Sequence, residues 1–234
     1  MTAVEPLPAA ASALRTLLWR GDGPAAAARP GVPTGFAALD GALPGGGWPP
    51  GVLTEVLAGA RGIGEVSLLL PALRRLSRQS RRWILWLAPP HIPYAPALEA
   101  AGIDPARLAV VSPHSPAEAI WAARQALACG ACSALLAWLG SPDLHALRRL
   151  QLAAEGGQTL AVLFRPPAAA REPSPAPLRL QVEPAAGRLA VHVLKRRGPP
   201  LPGPLLLDLP DAPHALVRPL PAEPAAAGVR AWRA

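Results

Sequence analysis

A glycine-rich turn between an apolar run and a helix-forming segment has the residue spacing closest to known chemistry. Gly59, Gly62 and Gly64 lie in the sequence GARGIG, which has the G-x-x-x-x-G spacing of a phosphate-binding loop. In such a loop the next residues are a lysine, which neutralises the β- and γ-phosphates, and a serine or threonine, which holds Mg²⁺. Here these residues are Glu65 and Val66. The turn therefore has the spacing of a phosphate site without its cation and its metal ligand.

Glu65 reverses the electrostatics that a bound phosphate requires. At ~4 Å and an effective dielectric constant of ~20, a pair of unit charges interacts by about 4 kcal/mol, so attraction becomes repulsion of similar size. A carboxylate at a helix N-terminus is also favoured by the helix dipole. We therefore expect the Glu65 carboxylate to occupy the anion position itself. A chance glycine turn between a strand and a helix is the alternative.

Apolar runs and helical patterns alternate from residue 31 to residue 165, which predicts a mostly parallel α/β sheet flanked by helices. The predicted strands are Val52–Leu57, Trp83–Leu87, Leu108–Val111, Ala134–Leu139 and Thr159–Phe164. The predicted helices are Glu65–Ser80, bent by Pro71; Tyr94–Ala101; one that begins at a capping box at Ser115–Glu118 and runs to Ala128; and one capped by Ser141-Pro142.

The flanking regions have a different composition. Residues 166–210 predict a small β extension, in which Leu178–Val182 and Leu189–Leu194 pair antiparallel around Ala186-Gly187 and Leu205–Leu209 adds a strand. Residues 211–234 are predicted to be a tail. Residues 1–30 predict a helix on a linker, which has nothing of its own to pack against. Its apolar residues are therefore candidate partner or oligomer contacts: Leu14, Leu17, Leu18 and Trp19.

The composition limits the compartment and the partners. The 234 residues carry a formal net charge of +8, which favours nucleic acid or an acidic protein face as a partner. No long uncharged apolar run and no signal peptide is recognisable, so a cytoplasmic protein is predicted. Cys129 and Cys132 follow a helix instead of beginning one, and further zinc ligands are not close in sequence. We therefore expect structural cysteines and no metal site.

Two basic clusters each allow two interpretations. Lys195, Arg196 and Arg197 form a corner that either contacts DNA phosphate or an acidic surface, or is simply a solvated strand end. The arginines at 74, 75, 78, 81 and 82 either complement a helix C-terminus or form a DNA-binding stripe. Since no basic loop interleaved with aromatic residues is apparent, protein binding is favoured over direct, tight DNA binding.

Tryptophans are candidates for the core or for interfaces. Trp83, Trp86 and Trp138 lie in predicted strands and are expected in the core. Trp19, Trp121 and Trp232 are expected to be candidate partner contacts, because tryptophan often anchors interfaces.

Residues 33–55, PTGFAALDGALPGGGWPPGVLTE, resemble the segment that leads into the phosphate loop of RecA-family proteins. The resemblance implies a RecA-like core at residues 31–165. It places Pro90 at the position of the catalytic glutamate, Glu65 at that of the phosphate lysine, and the carboxylate-free strand ALLAWL (134–139) at that of the Walker B aspartate. Three such losses imply a pseudo-ATPase, with no catalytic residues and no nucleotide cofactor.

Within that superfamily the chain is most similar to the ImuA family, through residues 33–57, GIGEVSLLLPAL and LRRLQLAAEGGQTLAVLFRP. This resemblance implies a DNA-damage-induced accessory factor in translesion synthesis, with an ImuB-type Y-family-like protein and an error-prone polymerase as partners. RecA or a second copy of the chain is a further candidate partner, and DNA contact is expected to be weak or indirect. The alternatives are a SulA-like inhibitor of the tubulin-like division protein, and a surviving ATPase with relocated residues.

Overall fold

The computed structural model describes residues 29–209, 217–218 and 229–231 of the chain. The N-terminal residues Leu14, Leu17, Leu18 and Trp19 therefore lie outside the described residues. Within the described ranges the strands are β1 Leu53–Ala58, β2 Trp83–Leu87, β3 Ile92–Pro93, β4 Leu108–Val111, β5 Cys132–Trp138, β6 Leu160–Arg165, β7 Leu178–Ala185, β8 Arg188–Lys195, β9 Leu205–Leu207, β10 Val217–Arg218 and β11 Val229–Ala231.

Nine of these strands form one sheet in the order β11-β4-β2-β5-β6-β1-β7-β8-β9, and β3 pairs separately with β10. The six strands from β4 to β7 in this order are joined by parallel pairings, and antiparallel pairs occur at β4–β11, β7–β8 and β8–β9. β1, β5 and β6 are buried along almost their whole length, as strands covered on both faces must be. The predicted mostly parallel α/β sheet is confirmed.

Helices cover both faces of the sheet. They are α1 Ala37–Ala42, α2 Leu70–Gln79, α3 Ala95–Ala100, α4 Pro116–Ala128 and α5 Leu144–Glu155. One apolar core includes Leu39, Leu73 and Leu98 from the first three helices. A second core includes Leu127 and Leu147 from the last two. The two cores place α1–α3 on one face of the sheet and α4–α5 on the other.

Two predicted helix starts are wrong, and the side chains explain why. A short 3₁₀ turn at Ser67–Leu69 follows the glycine-rich turn, and α2 begins only at Leu70. Pro71 therefore lies in the first turn of α2, where its missing N–H costs nothing, and does not bend the helix. α5 is capped by Asp143, whose Oδ1 accepts a hydrogen bond from the Ala146 N–H at 2.7 Å, and not by the preceding Ser-Pro pair.

The hairpin of β7 and β8 turns at Ala186-Gly187, as predicted. Both turn residues have positive φ, 45° and 80°, the conformation of a type I′ turn. β7 also pairs in parallel with β1, so the hairpin extends the main sheet. β9 ends at Leu207, two residues before the predicted end. β10 and β11 lie in residues 211–234, where the composition predicted a tail.

Candidate functional site

The segment before β1 is held in place by the residues that resemble the RecA family. Thr34 donates its backbone N–H to Asp40 Oδ1 at 2.7 Å, and its hydroxyl accepts the Phe36 N–H at 3.1 Å. Val32 pairs with Trp48, whose side chain is fully buried. Each of these residues thus has a structural role that needs no nucleotide.

The carboxylate of Glu65 fills the glycine-rich turn. Its Oε1 accepts the Gly62 N–H at 3.0 Å, and its Oε2 accepts the Ile63 N–H at 3.0 Å. Gly62 and Gly64 have φ of 75° and 106°, which open the turn so that its amides can converge. The carboxylate lies within the protein, with the residue only 7% exposed. The carboxylate thus accepts two amides of the turn, and its place in a former anion site stays a prediction.

A cleft of about 460 Å³ lies beside this turn at the carboxyl ends of β1, β2, β5 and β6. Pro90 lines it, where the resemblance places the catalytic glutamate. Trp138, at the end of the strand expected to carry the Walker B aspartate, stacks on Phe164 with ring centroids 4.4 Å apart. Trp86 lies 5.5 Å from Trp138. Aromatic rings therefore occupy the end of β5 that faces the cleft.

A buried ion cluster fixes β1 against its two neighbours. Glu55 is fully buried; its Oε1 accepts from Arg165 at 3.2 Å and from the Ser174 hydroxyl at 2.7 Å, and its Oε2 accepts from Arg179 at 2.6 Å. Arg165 also pairs with Glu172 at 2.7 Å. Buried charges persist only when they are paired and hydrogen-bonded in this way. The cluster positions β1 and hence the turn that follows it.

The two cysteines differ in environment. Cys132 is buried at the start of β5, and this burial raises the pKa of its thiol to about 11. Cys129 is exposed. No group of three or more metal-binding side chains occurs among the described residues. Cys132 is thus a packed side chain with little thiolate character at neutral pH.

The basic corner is only partly free. Lys195 Nζ donates to the Ser174 carbonyl at 2.9 Å, and Arg196 donates to the Ala42 carbonyl at 2.6 Å, while Arg197 is exposed. Arg196 and Arg197 line a cavity of about 430 Å³ beside Val52 and Leu178, at the amino ends of β1 and β7. The corner therefore lies at the opposite edge of the sheet from the Glu65 cleft.

The buried and exposed tryptophans agree only in part with the prediction. Trp86 is buried as expected, and Trp138 is half-buried against the core. The prediction for Trp83 is wrong: this first residue of β2 is 41% exposed, although the first residues of the other parallel strands are buried. Trp121 is 56% exposed on α4, as a partner contact would require. Trp19 and Trp232 lie outside the described residues.

The family model of the cell division inhibitor SulA matches residues 51–161. The cell division inhibitor SulA of Serratia marcescens is 35% identical over 118 residues, which are 50% of this chain and 68% of that protein. The SulA of Edwardsiella piscicida is 38% identical over 103 residues, 43% of this chain and 60% of that protein. Protein ImuA of Caulobacter vibrioides is 33% identical over 138 residues, 56% of this chain and 57% of that protein. The chain belongs to the ImuA/SulA-related family.

The match to the SulA family model covers only part of this ImuA/SulA-related protein. It includes the glycine-rich turn, Glu65 and Trp138, but it ends before Phe164, the ion-cluster arginines and the hairpin. The chain spans 60% of the Edwardsiella relative and 57% of the Caulobacter relative. In the described part of the chain, the helices are too short or too polar to cross a membrane.

Sequence reasoning missed two features of this family member's site. The sequence contained the arginines of the ion cluster, but their convergence on Glu55 depends on the pairing of β1 with both β6 and β7, which local patterns do not specify. The aromatic stack of Trp138 on Phe164 depends on the same strand order. One available signal was that both residues lie near the carboxyl ends of consecutive parallel strands, and these ends share one edge of the sheet.

Proposed function

We propose that this protein is a non-catalytic RecA-like accessory factor of the bacterial DNA-damage response. It acts in the cytoplasm during translesion synthesis by recruiting an ImuB-type Y-family-like protein and an error-prone DNA polymerase. It uses no nucleotide cofactor. Its rigid sheet presents surfaces, and other proteins carry out DNA synthesis.

The observation that carries this proposal is the Glu65 carboxylate in the turn that a phosphate would otherwise enter. The carboxylate accepts the Gly62 and Ile63 N–H groups, so a phosphate would have to displace it and then meet its negative charge. A second support is that the end of β5 carries the stacked Trp138 and Phe164 rings, and aromatic rings offer no carboxylate ligand for a metal ion. These features support a binding role over ATP hydrolysis.

Nucleotide titration tests the loss of ATPase function. A fluorescent ATP analogue is titrated with Mg²⁺ into the full chain, and unlabelled ATP serves as competitor. We expect no saturable binding up to millimolar analogue and no phosphate release. Saturable micromolar binding that unlabelled ATP competes away would contradict the proposal and revive the ATPase alternative.

Two observations favour the translesion role over division inhibition. The 138 matched residues are only 57% of the Caulobacter ImuA, whereas 103 matched residues are already 60% of the Edwardsiella SulA, so the ImuA protein is the longer one. This chain likewise extends beyond the SulA family match, through the approach segment and the β7–β8–β9 strands. The additional segments of this chain therefore favour the longer ImuA relative over the shorter SulA relatives.

A SulA-like inhibitor is the second candidate, because the SulA family model matches the chain and SulA proteins are among its most similar relatives. Deletion and overexpression in the parent bacterium separate the two roles. The translesion role predicts that deletion lowers damage-induced mutation frequency and that overexpression leaves cell length normal. Filamentation on overexpression, with unchanged mutation frequency in the deletion strain, would favour the division inhibitor.

A further inference from the structure

A cavity of about 430 Å³ lies at the amino edge of the sheet, beside the starts of β1 and β7 and the C-terminal end of α5. We call it the amino-edge cavity. Its uncharged wall is mostly apolar and includes Val52, Leu178 and the prolines at 44, 49, 50 and 177. Its charged lining residues are Arg29, Arg196, Arg197 and Glu155. Ligand sites in proteins combine a mostly apolar concave wall with a few placed polar groups in this way.

Hydrogen bonds fix the walls of the amino-edge cavity. The Gly51 N–H donates to the Thr159 carbonyl at 3.0 Å, which holds the proline loop before β1. The Leu53 N–H donates to Gln151 Oε1 at 2.9 Å, and Gln151 Nε2 donates in turn to Glu155 at 3.1 Å. Because proline has a fixed φ, the proline-rich wall adds little flexibility of its own. The cavity is therefore formed before a ligand arrives, which reduces the entropic cost of binding.

The arginines of the cavity carry charge that the described residues leave largely unpaired. Arg29 and Arg197 are exposed, and none of the three arginines forms an ion pair with a described carboxylate. Arg196 is half-buried and donates to the Ala42 carbonyl at 2.6 Å, while its Nε is buried with no hydrogen-bond partner among the described residues. A guanidinium group has five N–H donors, so the described acceptors satisfy Arg196 only in part.

Glu155 limits the kind of anion that the cavity can bind. The lining residues have a surplus of two positive charges, but Glu155 also places one negative charge among them. A nucleic-acid strand, with a phosphate on every nucleotide, would be repelled by Glu155 and would leave the apolar wall without a partner. A peptide fits both features. One carboxylate can meet the arginines, backbone N–H groups can donate to Glu155, and neighbouring apolar side chains can pack on the prolines.

We propose that the amino-edge cavity binds an extended acidic segment of a partner protein. An Asp or Glu carboxylate of the segment contacts the arginines, and an adjacent apolar side chain packs against Val52 and the prolines. Arginine forks match carboxylate oxygens in pairs, and the net charge of +8 attracts an acidic segment to this chain. The assignment rests on the proposed function only in that a recruited protein would supply the segment. It requires neither the Glu65 turn nor an ImuB-type partner.

A peptide array tests this proposal with the full chain. Its peptides have about eight residues, roughly 25 Å when extended, with Asp, Glu, Asn, Gln or Lys at the centre and Leu, Val, Phe or Ser beside it. We expect the strongest binding where a central carboxylate has an apolar neighbour. Fluorescence anisotropy then measures the affinity of the strongest peptide in labelled form. Replacing its carboxylate with the corresponding amide should weaken binding about tenfold, the effect of losing one charge-assisted hydrogen bond.

Substitutions in the cavity should change the affinity for this labelled peptide in opposite directions. Arg29→Gln and Arg197→Gln should each weaken binding about fivefold, as expected for an exposed charge pair. Glu155→Gln should strengthen binding severalfold, because it removes a like charge from the wall. Val52→Phe should weaken binding by filling part of the cavity. Unfolding midpoints establish that each variant is folded, and the two exposed arginines keep the test valid if Val52→Phe does not fold.

The chain offers matched controls for the charge changes. Arg124→Gln on α4 and Glu99→Gln on α3 alter exposed residues that do not line the cavity. Both should leave the affinity for the peptide unchanged at about 0.15 M salt, where the Debye length is roughly 8 Å. Equal changes in the controls and the cavity variants would overturn the proposal, because binding would then reflect net charge alone.

Four other results would also overturn the proposal. They are an absence of peptide binding, equal binding of the carboxylate and amide peptides, unchanged affinity in folded Val52→Phe, and displacement of the peptide by oligo-dT at equal charge concentration. The last result would assign the cavity to nucleic acid. Peptide binding by a protein that proves dispensable for translesion synthesis would contradict only the proposed function. An absence of peptide binding by a protein required for translesion synthesis would contradict only this assignment.

Discussion

At the scale of single residues, Glu65 takes the place that a bound anion has in a phosphate loop. Without it, the amides of Gly62 and Ile63 would lose a charged acceptor inside the protein. Hydrogen bonds to charged groups contribute about 1.5–3 kcal/mol. We expect Glu65→Ala to lower the free energy of unfolding by about 2 kcal/mol and Glu65→Gln by roughly half as much, as measured by urea denaturation.

Glu99→Ala serves as the control for this measurement, because Glu99 is exposed on α3 and should change stability by less than about 0.5 kcal/mol. Equal stability of Glu65→Ala and the unmodified protein would mean that the carboxylate does not hold the turn. The proposed absence of nucleotide binding would then lose the observation that supports it.

Cys132 gives the protein a pH dependence whose sign follows from its raised pKa. The folded-state pKa of about 11 exceeds the ordinary value of 9.0, so the folded state holds this proton more tightly than the unfolded state does. The resulting stability is complete below pH 9 and is lost as the pH rises toward 11. We expect the stability difference between the unmodified protein and Cys132→Ala to shrink over that range.

Thiol titration at pH 8 gives an independent check of the same environment. Exposed Cys129 should react rapidly with a disulfide reagent, and buried Cys132 only after denaturant is added. Rapid reaction of two thiols per native chain would contradict the burial of Cys132. Cys129→Ser, which leaves Cys132 as the single thiol, identifies the site that reacts.

At the scale of elements, the β7–β8 hairpin contains a residue poorly suited to its turn. Ala186 has φ of 45°, a left-handed conformation that disfavours residues with a Cβ, whereas Asn tolerates it and Asn-Gly is the preferred pair in type I′ turns. We expect Ala186→Asn to raise the free energy of unfolding by about 0.5–1 kcal/mol in urea denaturation. Gly187→Ala should have the opposite sign, and a stabilising Gly187→Ala would show that the turn is of another type.

Elements with a strong local signal were predictable from the sequence. The strand WILWL begins and ends where its apolar run does, and α4 follows from Ser115, whose hydroxyl accepts the Glu118 N–H at 3.2 Å. The start of α2 was not predictable in the same way, because the glycine-rich turn continues through a 3₁₀ turn that propensities do not separate from the helix. Local patterns predict that a helix or strand exists. The residue that caps a helix depends on which of several nearby polar side chains reaches the first free backbone N–H groups.

The site depended on non-local pairing. The Glu65 carboxylate was predictable because the amides that donate to it are two and three residues away. The convergence of Arg165 and Arg179 on Glu55 spans 110 and 124 residues and requires β1 to lie between β6 and β7. The exposure of Trp83 was likewise not predictable from its apolar run, whose remaining residues are mostly buried. The sequence therefore predicted the local contact of Glu65 but not the non-local ion cluster on Glu55.

At the scale of the whole molecule, the two edges of the sheet, formed by the carboxyl ends and the amino ends of its parallel strands, carry different kinds of side chain. The carboxyl edge carries Glu65 and the aromatic stack, which line the cleft of about 460 Å³. The amino edge carries the corner formed by Arg196 and Arg197, which line a cavity beside Val52 and Leu178. The basic corner thus lies at the opposite edge of the sheet from the Glu65 carboxylate, and an acidic partner would be attracted to that edge.

Partner recruitment should be separable from folding in this molecule. Both apolar cores, as described, are built from residues between Val32 and Leu209, so a truncation that removes residues 1–25 takes nothing from them. We expect the truncated protein to keep the unfolding midpoint of the full chain but to capture less of the ImuB-type partner and the polymerase in a pull-down after DNA damage. The reason is that it lacks the predicted contacts Leu14, Leu17, Leu18 and Trp19.

The substitution Leu17→Ala/Leu18→Ala in the full chain is the matched test, because it keeps the chain length and removes only apolar side chains. Loss of capture in both proteins with unchanged stability would place the partner contact on the N-terminal segment. Undiminished capture would show that recruitment does not use these residues, and would leave exposed Trp121 on α4 as the next anchor to substitute. A large fall in the unfolding midpoint would instead make the segment part of the folded core.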